Sequence, residues 1–347
     1  MQSNKYGIIV EDVISKIKIG KLKAGSRISS REELAFKYKV SPSTVNKALN
    51  LLERSGYIKK IERIGSFVTD KANEKRNLLV IIPYFVSQLE KDEADLSTLP
   101  NWLYYIETFA AERKFKIHTL VNNFMTEEAV GIAIKELGFK IDASIIISSE
   151  WFRTEWIHAA LKEGNVPHIF VDQYPENADF VATDNISTVY KITKEFINMN
   201  YKHLIYISSP VKFSSLRIDR MEGFMNAIGE SSVLGEIWSV TNKNNLKDLA
   251  KIIAQNKSEN VAVITSLPYI MKKLWNEMKS MEFNTSKVAW GSIDSSNVIY
   301  TNKTVIIEAV QPVKDITNRV FHILEKKING NKQLFQEFYE TSLKIIK

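Results

Sequence analysis

The stretch "SPSTVNKALNLLERSGYIKK", residues 41–60, predicts one short helix followed by one short strand. Ser41 is a residue type that accepts hydrogen bonds from the free N–H groups of a first helical turn. Pro42 occupies the first helical position, where its missing N–H is no loss. The apolar residues of this helix recur at helical spacing and share one face: Val45, Leu49 and Leu52. We expect this face to pack inward.

The opposite face of the same helix carries short hydroxyl, amide and ammonium side chains, with no carboxylate before Glu53. Its members are Ser43, Thr44, Asn46, Lys47 and Asn50. Such groups donate hydrogen bonds to phosphates and to the edges of bases. The face therefore predicts contact with nucleic acid, and a plain solvated surface is the alternative interpretation.

Positive charge is concentrated near the start of the 347-residue chain. Residues 1–75 contain 16 lysines and arginines and 8 aspartates and glutamates, a net charge of +8, whereas the remaining residues sum to −1. Such asymmetry is typical of a segment that has an anionic partner. A lysine-rich solvated surface would show the same excess.

The composition limits the class of protein. A hydrophobic fraction of 44% and a charged fraction of 25% are typical of a globular protein, and the length predicts two or three domains. The absence of cysteine excludes disulfides, cysteine–metal sites and thiol nucleophiles. There is no apolar run of about 18 residues and no signal-peptide core near the start. We therefore expect a cytoplasmic protein that does not insert into a membrane.

Two domains with different textures are predicted. Over residues 1–70 the order is helix, helix, tight turn, helix and hairpin, which is the order of a winged helix-turn-helix domain. Residues 71–77 are polar and charged, as in a linker. From residue 78 onward, apolar runs such as "LLVIIPYF" alternate with amphipathic helices, which predicts buried parallel strands with helices on both faces.

The segment 78–347 is too long for one sheet, so we expect two similar lobes with a cleft between them. The first lobe is predicted at about 78–182 and 311–330, and the second at about 183–310 and 331–347. The predicted fold class is thus α/β, with an N-terminal winged helix-turn-helix domain and a two-lobed domain of doubly wound parallel sheets.

Four ordered motifs, "I..G.L..G", "S..ELA", "VS..TV..AL..L...GYI" and "G.FV", run through residues 5–68. On these motifs the segment resembles the winged-helix domain of the GntR family of bacterial regulators. The family often has arginines where this chain has Glu32, Pro42 and Asn46, and its wing often has a glycine where this chain has Arg63.

Three further motifs lie in the predicted two-lobed domain: "HIFVDQ" followed by "VATDNISTVYKITKEFINMNYKHLIYIS", then "RMEGF", then "WGSIDSSNV". On these motifs residues 78–347 resemble the effector domain of LacI-type regulators, which is itself similar to type I periplasmic sugar-binding proteins. The family's usual Asn-Asp pair is replaced here by "TSLP", so no ligand contact is carried over to that place. The combination of both domains is similar to regulators of the arabinose-repressor type.

In a winged domain the third helix enters the major groove. Asn46 is suited to a bidentate pair with adenine, and serine or threonine at a helix start suits phosphate. The predicted DNA contacts are Arg31, Ser43, Thr44, Asn46, Lys47, Lys59, Lys60, Arg63 and Gly65. Which of them read bases stays open, because the usual arginines are absent.

The effector is expected at the carboxyl ends of the strands of both lobes. Asp172 and Asp294 each end a strand, and the resemblance implies that Arg220 of "RMEGF" holds effector hydroxyls or carboxylates. Two carboxylates and a guanidinium hold vicinal hydroxyls through charge-assisted hydrogen bonds. Four aromatic residues that follow strand ends would stack on a sugar: Tyr84, Phe85, Trp151 and Tyr174. Turn capping by the aspartates and core packing by the aromatic residues are the alternatives.

The sequence thus predicts a DNA-binding transcriptional regulator, a repressor, that is controlled by a small sugar or sugar-derived effector and forms a homodimer on double-stranded operator DNA. A nucleobase or nucleoside effector, or none, is the alternative. An enzyme that uses the cleft is a distant one, because no histidine pair with metal-ligand spacing, P-loop or dinucleotide fingerprint is found. We expect no catalytic residue, no metal and no cofactor.

Overall fold

The computed structural model describes residues 5–69, 75–83, 99–122, 126–147, 154–209, 215–255, 260–294 and 304–347. The chain divides into two compact units, Met1–Lys75 and Arg76–Lys347. The helices and strands follow in chain order: α1 Lys5–Lys18, α2 Arg31–Tyr38, α3 Pro42–Arg54, β1 Ile58–Ile61, β2 Gly65–Val68, β3 Arg76–Pro83, α4 Leu99–Glu112, β4 Phe115–Asn122, α5 Glu127–Lys135, β5 Ala143–Ile147, α6 Thr154–Glu163, β6 His168–Val171, β7 Phe180–Thr183, α7 Asn185–Asn198, β8 His203–Ser208, α8 Ser215–Gly229, β9 Leu234–Ser239, α9 Lys243–Gln255, β10 Val261–Thr265, α10 Pro268–Ser280, β11 Val288–Ile293, β12 Ile306–Val310, α11 Val313–Ile328, β13 Gln336–Tyr339 and β14 Ser342–Ile346.

The first unit has the predicted order of three helices and a hairpin. Ser41 caps α3 by accepting a hydrogen bond from the backbone N–H of Thr44, and Pro42 is the first helical residue, as predicted. Ser30 caps α2 in a capping box with Glu33. The inward faces of the helices meet in one core, which includes the predicted stripe: Val45, Leu49 and Leu52.

The hairpin of the first unit is an antiparallel pair, in which Ile58 lies opposite Val68 and Ile61 opposite Gly65. Arg63 turns the chain between the strands with a φ of 61°, in the left-handed region. The hairpin is the wing of the winged domain.

The second unit contains two six-stranded sheets. The first has the order β13-β7-β6-β5-β3-β4 and is parallel throughout. The second has the order β14-β12-β11-β10-β8-β9, with β14 as its antiparallel strand. Each sheet has an apolar core on both faces, as expected for doubly wound lobes.

The chain passes between the two lobes at three places in the described residues, after β7, after β12 and after β13. The backbone N–H of Asp184, at the first crossover, donates to the carbonyl of Tyr339, near the third, at 2.9 Å. The hydroxyls of Thr188 and Thr341 lie 3.0 Å apart beside the same two crossovers. These three connections are called the hinge crossovers below.

Two predicted boundaries differ from the structure. Residues 331–347 were assigned to the second lobe, but β13 pairs with β7 in the first sheet and only β14 pairs with β12 in the second. Strand pairing between distant segments decides this, and no local pattern shows it. Arg76 and Asn77, predicted as linker, already belong to β3; residues 70–74 lie outside the described ranges. Within those ranges, none of the helices has the length and apolar character that a membrane crossing requires.

Candidate functional site

The exposed face of α3 is arranged as the sequence predicts. Ser43, Asn46 and Lys47 are exposed to solvent. Thr44 is half-buried, and its hydroxyl lies 2.9 Å from the hydroxyl of the capping residue Ser41. Of the predicted hydroxyl contacts on α3, Ser43 is therefore the one that is fully presented, while Thr44 helps to cap the helix.

The basic side chains predicted to contact DNA fall into two groups. Lys60 is held on α3, because its ammonium contacts Asn50 and Glu53, and Arg31 pairs with Glu32 at 3.3 Å. Three predicted cations form no ion pair with any residue that the structure describes, and all three are exposed: Lys47, Lys59 and Arg63. The second group is better placed for an external anion.

Arg27 is a candidate that the sequence analysis missed. Its backbone bridges to Phe67 of β2, and its guanidinium crosses the wing so closely that a Cβ added at Gly65 would lie 2.7 Å from Arg27 Nε. Gly65 also has a φ of 139°, which favours glycine. Gly65 thus leaves room for the exposed side chain of Arg27. This role follows from a tertiary contact and is not visible in the sequence.

Asp172 and Asp294 occupy equivalent places in the two lobes. Each directly follows a strand, with φ values of 54° and 60°, and its own N–H donates to the next strand at 3.1 and 2.7 Å. A carboxylate oxygen of Asp172 accepts from the backbone N–H of Thr183 at 2.8 Å. In the same way, Asp294 accepts from the backbone N–H and side-chain amide of Gln311, at 3.4 and 3.0 Å. Thr183 and Gln311 both precede hinge crossovers, so the turn-capping alternative holds for both aspartates, and each carboxylate touches the hinge.

Burial opposes ionisation of both carboxyls. It raises the pKa of Asp172, against the opposing effects of hydrogen bonding from Thr183 and of the charge of Arg220. Burial also raises the pKa of Asp294; the charge of Arg220 offsets this in part, the charge of Asp172 adds to it, and the resulting pKa is about 7. The charge of Arg220 thus acts on both aspartates, and the charge of Asp172 acts on Asp294 in the other lobe.

Arg220 is 4% exposed and is held by neutral partners within its own lobe. Its Nε donates to Asn185 Oδ1 at 2.7 Å and its Nη1 to the carbonyl of Ser266 at 2.6 Å. Gly223 lets the helix that carries Arg220 approach α7, because a Cβ at Gly223 would lie 2.2 Å from the carbonyl oxygen of Ile186. The guanidinium therefore braces α8, and its charge lowers the pKa of both carboxyls.

Two serine hydroxyls at the same edge were not predicted. Ile207 and Thr265 are paired on β8 and β10, so the next residues, Ser208 and Ser266, lie side by side at the carboxyl ends of neighbouring strands. They are 4% and 0% exposed, and neither hydroxyl has a hydrogen-bond partner among the described residues. Buried hydroxyls are normally satisfied, so this pair is available to a ligand. Ser266 belongs to "TSLP", the segment that replaces the family's usual Asn-Asp pair.

The predicted aromatic platform is only partly visible. Tyr84, Phe85 and Trp151 lie outside the described residues. Tyr174 packs against Phe180 and Phe338 of the first sheet, so the core-packing alternative holds for this ring.

The site thus combines, at the carboxyl ends of the strands of two sheets, two carboxylates, one guanidinium and two hydroxyls that have no partner among the described residues. Such groups bind a small polyhydroxylated molecule through directed hydrogen bonds. Among the described residues, no group of three histidine, aspartate or glutamate side chains is placed to hold a metal ion.

The first unit contains the region that matches a known family, and the second unit has a known fold. Residues 5–68 match the family described as bacterial regulatory proteins, gntR family. Solved LacI-type regulators share the fold of the second unit. A probable maltose operon transcriptional repressor from Staphylococcus superposes with a TM-score of 0.66 and 17% identity, over 79% of this chain and 98% of its own. At this identity the likeness shows the fold alone.

Among characterised proteins, the arabinose metabolism transcriptional repressor of Halalkalibacterium halodurans is 21% identical over 242 residues, which is 66% of this chain. The transcriptional regulator TreR of Bacillus subtilis is 30% identical over 145 residues, 42% of this chain. The chain spans 62% and 52% of the lengths of these two relatives. Both relatives are regulators of transcription.

Proposed function

We propose that this protein is a sequence-specific DNA-binding repressor, active as a homodimer, whose operator affinity is set by a small sugar or sugar-derived effector held between the two lobes. The observation that carries the proposal is the placement of Asp172 from one lobe, and of Asp294 and Arg220 from the other, at the carboxyl ends of the two sheets, with both carboxylates bonded beside hinge crossovers. The names of the relatives, an arabinose metabolism repressor and a probable maltose operon repressor, support a sugar as the class of effector.

Effector binding acts on the hinge in this proposal. Asp172 and Asp294 accept hydrogen bonds from Thr183 and Gln311, which directly precede two crossovers. A sugar between the lobes whose hydroxyls donate hydrogen bonds to these carboxylates favours the arrangement in which the two lobes are closed on it. The differential affinity for the closed state then becomes a coupling free energy between effector and operator.

The first unit supplies the operator contacts. We propose that α3 lies in the major groove with Asn46 and Lys47 toward the base edges, and that Lys59 and Arg63 of the hairpin contact the phosphate backbone. A two-fold dimer doubles these contacts on a palindromic site. Light scattering at micromolar concentration tests the dimer, and a monomer mass both with and without operator would contradict it.

The first experiment identifies both ligands with the full chain. Selection from random-sequence duplex DNA yields the operator, and gel shifts with arabinose, maltose and adenosine then report the response. We expect a sugar to change operator affinity; a response to adenosine alone would favour the nucleoside alternative. If no DNA sequence were enriched, the proposal that the protein is a sequence-specific DNA-binding regulator would be refuted.

A pair of isosteric variants locates the effector site. Asp172→Asn keeps an oxygen that accepts from Thr183 but removes the charge. We expect it to weaken sugar binding by about 2 kcal/mol or more, as for loss of a buried charge-assisted contact, and to leave operator binding without sugar unchanged. The control is Asp142→Asn. Asp142 likewise accepts a hydrogen bond from a backbone N–H, that of Asn77 at 2.9 Å, but it lies at the amino ends of the strands of the first sheet. Equal sugar affinity in both variants would show that Asp172 does not contact the sugar.

A further inference from the structure

Tyr174 is fixed to the first lobe. It lies in the connection between β6 and β7, and its ring centroid is 5.8 Å from that of Phe180 on β7 and 5.4 Å from that of Phe338 on β13. Both strands belong to the first sheet. Because both aromatic neighbours belong to the first lobe, the ring of Tyr174 is held by that lobe and moves with it.

The hydroxyl of Tyr174 reaches the second lobe. It donates a hydrogen bond to Oδ2 of Asp219 on α8, and Ser215, one turn earlier on α8, lies beside the same phenol. The helix itself is pressed against α7 at Gly223. The bond therefore joins the two lobes, and neither Tyr174 nor Asp219 is adjacent in sequence to a hinge crossover.

Asp219 is the neighbour of Arg220 in the chain. Arg220 is anchored to Asn185 and Ser266 inside the second lobe, so α8 and the guanidinium move together. Burial raises the pKa of Asp219, and the hydrogen bond from Tyr174 opposes this shift. The phenol is thus the cross-lobe partner of a carboxyl that is also near the negative charges of Glu222 and Asp184 and the positive charge of Arg220.

We propose that Tyr174 and Asp219 form a clasp that holds the lobes at the separation at which Asp172 and Arg220 reach one effector. Tyr174 is then a positioning residue and not the stacking platform expected from the sequence. The inference rests on the proposed function for its effector, whereas the clasp itself is a property of the second unit. The competing explanation is a local brace that contributes stability without setting the separation of the lobes.

The decisive comparison uses two Tyr→Phe variants that lose the same kind of bond. Tyr174→Phe keeps the ring and removes only the hydroxyl. Tyr190→Phe is the matched control, because the hydroxyl of Tyr190 on α7 donates to Glu230, just after α8, at 2.7 Å within the second lobe. Both variants lose a phenol–carboxylate hydrogen bond, and only the first bond crosses the cleft.

The separation of the lobes is measured in the full chain without effector or operator. The sequence contains no cysteine, so Lys116→Cys on β4 and Lys251→Cys on α9, both exposed, place one spin label in each lobe. Labelled protein is diluted into unlabelled protein so that distances within one chain dominate. We expect Tyr174→Phe and Asp219→Ala to lengthen or broaden the distance distribution and Tyr190→Phe to reproduce that of the wild type.

Calorimetry with arabinose and maltose adds the functional readout. Whichever sugar binds should bind Tyr174→Phe about tenfold more weakly, the factor expected for one hydrogen bond to a charged acceptor, and Tyr190→Phe as tightly as the wild type. The clasp is overturned if Tyr174→Phe and Asp219→Ala keep the wild-type distance distribution, even if they melt earlier. If neither sugar binds, the effector proposal fails while the distance measurement still decides the clasp.

Discussion

Replacing Gly223 by alanine should destabilise the second lobe and weaken the effector site together. The added Cβ would lie 2.2 Å from the carbonyl oxygen of Ile186 and 3.0 Å from the backbone nitrogen of Tyr190. Neither atom can swing away as a side chain can, so α8 must move outward from α7. Overpacking of this kind costs about 1–3 kcal/mol.

The helix propensity of alanine offsets part of this cost, by about 1 kcal/mol. Because the close atoms belong to the backbone, we place the packing cost at the upper end, which leaves a net loss of about 2 kcal/mol. For a unit of this size that corresponds to a fall in melting temperature of about 4–8 °C. Arg220, one turn earlier, would then move away from Asn185.

Gly229→Ala in the same helix is the matched control, because a Cβ there meets nothing within 4 Å. It should leave the stability unchanged or raise it by up to about 1 kcal/mol. Urea unfolding followed by the fluorescence of the buried Trp275 and Trp290 in the second lobe compares the variants, and calorimetry reports sugar affinity. If Gly223→Ala were as stable as Gly229→Ala, the close approach of α7 and α8 would not be what requires this glycine.

Three further predictions concern charge. Because burial raises the pKa of Asp294 from 3.8 to about 7, the folded protein holds a proton there that the unfolded chain releases, and stability should fall as the pH rises from about 4 to 7. Asp294→Asn should remove the part of this fall that Asp294 contributes, at most roughly 4 kcal/mol, and should leave the part due to Asp172 and Asp219, whose pKa values burial also raises. Burial opposes ionisation of Asp12, but hydrogen bonds from Lys16 and Tyr38 outweigh it and lower the pKa of Asp12 to about 2. Asp12→Asn should therefore destabilise the first unit by about 1 kcal/mol at pH 7. In thermal melts, the difference in stability between this variant and the wild type should vanish as the pH falls from 3.8 to about 2. Lys59→Ala should weaken operator binding evenly across sequences and reduce the slope of log affinity against log salt by about 1, whereas an unchanged slope in filter binding would mean that Lys59 contacts no phosphate.

Local features of the winged domain were predictable from the sequence. Ser41 and Pro42 determine where α3 begins, because capping and the fixed φ of proline involve only neighbouring residues. The spacing of Val45, Leu49 and Leu52 determines its inward face, because side chains three or four positions apart share a helix face. The alternation of apolar strands and helices likewise predicted two doubly wound lobes.

The candidate site was predictable in part. Asp172, Asp294 and Arg220 could be selected because strand ends and one motif mark them, and the structure brings these three together. Their partners were not selected. Asn185 lies within a quoted motif, but nothing in that motif marks its side chain as the partner of Arg220, and Ser266 stands in "TSLP", where the family's usual pair is replaced. The wing shows the same limit, because nothing near Gly65 in sequence indicates that Arg27 lies across it.

The sequence alone therefore determined where α3 begins, that apolar strands alternate with helices after the winged domain, and which charged residues end strands. Only the tertiary structure decided how the last strands divide between the two sheets, that Asp172 and Asp294 are tied to hinge crossovers, and that the hydroxyl of Tyr174 crosses to Asp219. The physical reason is range. Propensity, capping and periodicity act over a few residues, whereas strand pairing and buried hydrogen bonds join groups that are distant in sequence, and their partners are selected by the packing of the whole unit.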